Sequence, residues 1–179
     1  MKKQIIIIFL FIQFGVLNCI AQSWVRTNNI SPTYSFFTPN YSFSTPGIAT
    51  MNDTLNIKFY YYYTIDSSIA FHVLEHQNAQ FDSTQTDTLG FIVSSFISST
   101  NSILLNSQTI PITNGYKGIE INTQFNDPDN GQMVVSYMRL YYQQDLMLTF
   151  TVTGYQSDLT QIVADKILFF DSISFTNNY

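Results

Sequence analysis

His72, Glu75 and His76 spell H-x-x-E-H within "AFHVLEHQ", residues 70–77. On a helix, that spelling sets two imidazoles one turn apart with a carboxylate beside them. This is the ligand and base set of an inverted zinc-peptidase motif. On a strand the same residues behave differently. His72 and His76 share a face but stand about 13 Å apart, at about 3.3 Å per residue. A single zinc with ligand bonds of about 2 Å cannot join them. Glu75 points to the other face, and the chain holds one further glutamate, Glu120. The element carrying the motif therefore decides its chemistry.

Glu120 and Arg139 flank "DPDNG" (127–131), a tight-turn sequence in which Asn130-Gly131 favours the positive φ of a hairpin. A hairpin folded at this turn sets the two charges opposite or diagonal on one face, where they form an ion pair or the floor of a polar pocket. Asp127, Asp129 and Asn130 also invite a calcium reading. An EF-hand loop needs Gly sixth and Glu twelfth. Here Gly131 is fifth and Met138 twelfth, so a plain turn is expected. Tyr60 and Tyr62 share a face with Lys58, and if exposed they form an aromatic platform for a sugar, a lipid or a protein partner. No G-x-S-x-G nucleophile setting occurs. No cofactor, metal site or catalytic residue is expected. Tyr60, Tyr62, His72, His76, Glu120 and Arg139 stand as candidate ligand-binding residues.

Periodicity supplies the elements. In "LNIKFYYYYTI" (55–65), Leu55, Ile57, Phe59, Tyr61, Tyr63 and Ile65 alternate with Asn56, Lys58, Tyr60, Tyr62 and Thr64. This predicts a strand with the odd residues in the core. Asp66-Ser67-Ser68 turns the chain, and Ile69 to Gln77 returns as the second arm, so H-x-x-E-H lies on a strand. Leu89, Ile92, Val93, Phe96 and Ile97 recur at helical spacing, with Ser83, Thr84, Thr86 and Asp87 as cap candidates. An irregular strand over 102–112 and strands over 117–125, 132–142 and 146–154 follow. A last helix carries Leu159, Ile162, Val163, Ile167 and Phe170 on one face, capped by Ser157 or Asp158. The order predicts an α+β fold, an antiparallel β-sheet with two main α-helices packed on it.

The N-terminus reads as an address. Lys2 and Lys3 precede an apolar run from Ile5 to Leu17, and Cys19-Ile20-Ala21 fits a cleavage site before Gln22. Residues 1–21 are expected to be a signal peptide, 22–33 a loose arm and 34–176 one domain. In a second route, Val16-Leu17-Asn18-Cys19 serves as a loose lipobox and Cys19 carries a lipid anchor. Without residues 1–21, five basic residues face twelve acidic ones, a formal net charge of −7. Such a surface disfavours nucleic acid and anionic membranes. The mature chain has no cysteine and no transmembrane span. Of the sixteen Phe in the full sequence, the thirteen beyond residue 21 must carry the packing together with the twelve Tyr.

Four short stretches in this order resemble the PsbP-like group, which includes photosystem II extrinsic subunits, the lipoprotein DcrB and many secreted bacterial proteins. "YSFSTPG" (41–47) resembles the opening strand and F-P-G turn, and "NGYKGIE" (114–120) the G-x-x-G-x-E entry to a middle strand. "MRLYY" (138–142) resembles a strand with one Arg before an aromatic, and "FFDSI" (169–173) the closing F-x-x-S-F. Thr45 and Ile173 depart from the pattern. The resemblance implies a PsbP-like α/β sandwich and an accessory or binding role, with no active site to carry over. The reading is an exported, periplasmic or secreted, non-enzymatic protein with an unknown protein or small ligand as partner. Its rivals are a glycan- or lipid-binding module using surface aromatics and a small hydrolase centred on His72, Glu75 or Glu120.

Overall fold

The structure, a computed structural model, describes residues 24–27, 31, 33–39, 47–50, 56–64, 67–77, 88–144 and 146–176. The proposed signal peptide, Cys19, the "YSFSTP" stretch and the cap candidates of the first helix lie outside the described residues.

Seven strands form the main antiparallel sheet. They are β3 (Gly47–Thr50), β4 (Asn56–Tyr63), β5 (Ile69–Gln77), β6 (Ile103–Thr113), β7 (Tyr116–Asn126), β8 (Met133–Gln143) and β9 (Leu146–Tyr155). Their spatial order is β3-β4-β5-β9-β8-β7-β6. Three further strands, β1 (Trp24–Thr27), β2 (Tyr34–Pro39) and β10 (Ser174–Phe175), pair in the order β1-β2-β10. Helices α1 (Thr88–Thr100) and α2 (Leu159–Asp171) pack on opposite faces of the seven-stranded sheet. The architecture is the expected α+β sandwich.

The large core lies between the sheet and the layer formed by α2 and β2. Tyr34, Phe36, Phe71, Phe150, Phe169 and Phe170 are nearly or wholly inaccessible there. Their rings meet mostly edge to face, as their quadrupoles prefer; Phe36 stands 5.7 Å from Phe150 and 5.6 Å from Phe169. Gly154 on β9 lets α2 approach closely, since a Cβ there would stand 2.9 Å from Ile162 Cδ1. A smaller core under α1 joins Val93, Ile121 and Met138, with Phe96 and Ile97 beside them.

Several expectations need correction. Residues 22–33 are not a loose arm throughout, because Trp24–Thr27 pairs with Phe36–Pro39 and Trp24 packs edge to face on Phe71 at 5.5 Å. On β4 the faces are reversed. Tyr62 is buried in the large core and Tyr63 is exposed. Helix α2 is rotated from the expected face: Ile162, Asp165, Phe169 and Phe170 point inward, while Leu159, Val163, Ile167 and Leu168 are exposed. Asp158 occupies the N-cap position of α2 but its side chain makes no capping hydrogen bond.

Candidate functional site

The hairpin turn places Glu120 directly opposite Arg139. Arg139 Nε donates to Glu120 Oε2 at 2.7 Å, and Lys166 Nζ, from α2, donates to Oε1 at 2.7 Å. Burial works against the Glu120 charge, but the bonds from Lys166 and Arg139 outweigh it and hold the carboxyl below its usual range. Arg139 Nη1 also donates to the carbonyl of Phe170, at the negative end of the α2 dipole. Its guanidinium lies over the Phe170 ring at 4.8 Å, and Lys166 lies over Tyr137 at 4.7 Å. The group therefore joins α2 to the sheet through contacts beyond the Glu120–Arg139 cross-strand pair.

Glu75 is likewise occupied. It faces the large core and accepts from Tyr34 Oη at 2.9 Å, Lys58 Nζ at 3.1 Å and Gln77 Nε2 at 2.6 Å. Glu75 on β5 and Glu120 on β7 are separated by β9 and β8. Three inter-strand steps and a two-residue offset in register put their Cα atoms about 16 Å apart.

His72 and His76 lie on the opposite face of β5, as strand geometry requires. In register, His72 sits between Tyr61 and Thr151, and His76 between Ile57 and Met147. Burial lowers the pKa of both, favouring neutral rings. His76 Nε2 is buried and has no hydrogen-bond partner among the described residues. Among those residues no cluster of His, Cys, Asp and Glu can hold a metal ion. The DPDNG segment is a turn: Gly131 adopts φ +71°, and Asp127 accepts from the Asp129 amide and from Tyr155 Oη. These bonds, the backbone one foremost, lower the Asp127 pKa.

The six candidate residues thus divide between two faces. Tyr60, Tyr62, Glu120 and Arg139 face the α2 side, and His72 and His76 face the α1 side. Tyr62 is 3% exposed and Tyr60 packs against the same core, so this pair offers no open platform. The more open aromatic row is its odd-numbered partner, in which Phe59 stacks on Tyr61 at 6.2 Å and Tyr61 meets His72 at 4.8 Å.

That row leads to a concavity absent from the sequence reading. A cleft of about 800 Å³ opens between the C-terminal part of α1 and the sheet, beside the β7–β8 turn. His72, Ser136, Thr151 and Thr153 are among its polar lining residues, and Phe96 and Met138 among its apolar ones. Among the described residues lining it there is no Asp, Glu, Lys or Arg. Its volume falls in the range of small-molecule sites. The alternation on β8 and β9 was the available signal, since Ser136, Thr151 and Thr153 are small polar residues on a face otherwise holding Val134, Met138 and Leu140.

The architecture is similar to that of cyanobacterial PsbP from Synechocystis, at a TM-score of 0.63 and 12% identity over 89% of this chain and 96% of that one. The chain also matches PA94 of Pseudomonas aeruginosa, a protein of unknown function, at a TM-score of 0.47 and 11% identity, covering 80% of this chain and 90% of that one. LpqN of Mycobacterium tuberculosis, involved in cell envelope biogenesis, matches at a TM-score of 0.39 and 9% identity, covering 89% and 87%. No family profile matches the sequence. No curated protein matches it either. The fold is PsbP-like, as the short motifs implied. Among the described residues, no helix is long and apolar enough to cross a membrane.

Proposed function

We propose that this chain is an exported, non-catalytic binding protein that serves as an accessory component in the periplasm or outside the cell. The export reading rests on residues 1–21, with acylation at Cys19 as the alternative form. One observation carries the binding reading. The two buried glutamates are each bound to structural partners, whereas a cleft with no charged residue among its described lining is open on the other face of the sheet. A hydrolase would need a base and an acid to converge on one substrate atom. Here the sheet separates His72 from both Glu75 and Glu120, and the two carboxylates are absorbed in holding Tyr34 and α2.

Turnover measurements on model esters, peptides and glycosides test this. The expected result is a background rate, unchanged in His72→Gln and Glu120→Gln variants that remain folded. Turnover that falls with either substitution would overturn the non-catalytic reading. The intact mass of the exported chain distinguishes a start at Gln22 from an acylated Cys19.

A further inference from the structure

We infer that the cleft beneath α1 binds a small uncharged amphiphile: an apolar body bearing one or two hydroxyl or carbonyl groups. This rests on the binding reading above and specifies its ligand.

Three adjacent strands build the polar side. His72 on β5 pairs with Thr151 on β9, and Ser136 on β8 pairs with Thr153 on β9. The Ser136 and Thr153 hydroxyls bond each other at 3.1 Å. That bond uses one hydroxyl hydrogen and leaves the other hydrogen and further lone pairs for a guest. Neutral His72 offers one donor and one acceptor, and its described ring contact is with Tyr61 at 4.8 Å. The polar side can therefore both give and receive hydrogen bonds, as a ligand hydroxyl requires.

The apolar lining is interleaved with these residues on β8, where Met138 pairs with Thr151, and extends onto β7 and α1. Phe96 descends from α1, Met138 and Met133 from β8, and Phe125 from β7. Two methionines give this wall an adaptable shape. An apolar guest of variable outline suits it better than a rigid polar one.

Charge excludes the remaining classes. Among the described residues, no lysine or arginine lines the cleft to receive an anion, and no carboxylate lines it to receive a cation. The C-terminal end of α1, at Thr100 and Asn101, borders the cleft with the negative end of its dipole. The chain as a whole carries an acidic excess. An anion is therefore opposed locally and at long range, and a cation would be desolvated without a partner charge.

Three isosteric probes test the assignment on the exported chain: 1-decanol, decanoate and decylammonium. The ¹³C-labelled methionine methyls report position, because Met133 and Met138 line the cleft and Met147 does not. The expected result is saturable shifts of Met133 and Met138 with decanol, little change at Met147, and at least tenfold weaker binding of both charged probes. Thr153→Val keeps the side-chain shape while removing one hydroxyl, and is expected to weaken decanol at least fivefold with the fold retained. Equal binding of charged and neutral probes at these methyls would overturn the ligand class but leave a binding site standing. Unchanged decanol affinity in Thr153→Val would overturn the polar contact. Silence of Met133 and Met138 with all three probes would overturn the site itself. The turnover measurements judge the non-catalytic reading independently.

Discussion

Glu120 shows how one side chain ties chemistry to stability. Its pKa is depressed in the folded chain, so its contribution is present above the unfolded value and is lost as pH falls through the folded one. Stability is therefore expected to decline as pH drops below about 4.5, the ordinary value for the group. Glu120→Gln leaves Arg139 and Lys166 without their carboxylate and is expected to cost on the order of 3 kcal/mol at neutral pH. Denaturant melts across pH check this, with the acid-side slope shallower in the variant. Tyr34 gives the opposite sign. Burial raises its pKa far above the ordinary tyrosine value, and the neighbouring Glu75 carboxylate raises it further. Its contribution is complete below about pH 10 and is lost as pH rises beyond it. Tyr34→Phe is expected to cost about 1–2 kcal/mol by removing a donor from buried Glu75, and to flatten the alkaline decline.

Among the elements, strands were more legible than faces. Period-two patterning located β4, β5, β7, β8 and β9, and strand spacing was enough to separate His72 from His76. The same patterning assigned the wrong face of β4, for a physical reason. Both faces of the main sheet are covered, one by α2 and β2 and the other by α1, so each alternate set carries aromatics. Tyr62 fills the large core while Phe59 and Tyr61 run along the α1 side. Helix α2 misled in a related way. Leu159, Val163 and Ile167 look like an inward stripe, but buried Asp165 interrupts the true one. Gln161 Nε2 donates to Asp165 Oδ1 at 2.8 Å. The orientation predicts a contrast measurable by thermal or denaturant melts. Ile167→Gln, at an exposed position, is expected to change stability by about 0.5 kcal/mol or less, whereas Phe169→Ala is expected to cost about 3–5 kcal/mol. The short strands β1 and β10 were not legible, because four- and two-residue elements carry too little periodicity to register.

For the whole molecule, the seven-stranded sheet works as a partition. Its α2 side concentrates the aromatic core and both buried glutamates, and that side holds the fold together. Its α1 side carries the thinner core, the histidines and the cleft. The motif that first suggested metal chemistry is distributed across this partition, with Glu75 on the structural side and His72 on the cleft side. The sequence contained every residue of the cleft, but the alternation on β8 and β9 marks only part of it, since the rest come from α1 and from strands brought together by the β5-β9-β8-β7 order. The central claim is that the open side holds a ligand and performs no chemistry on it. Native mass spectrometry of the chain purified from its own cells tests this most directly. The account predicts an uncharged small molecule bound without covalent linkage, released on unfolding and lost when Ser136→Leu narrows the cleft in a folded variant. A bare chain mass in every native preparation, together with Met133 and Met138 resonances that ignore an extract of the same cells, would contradict it.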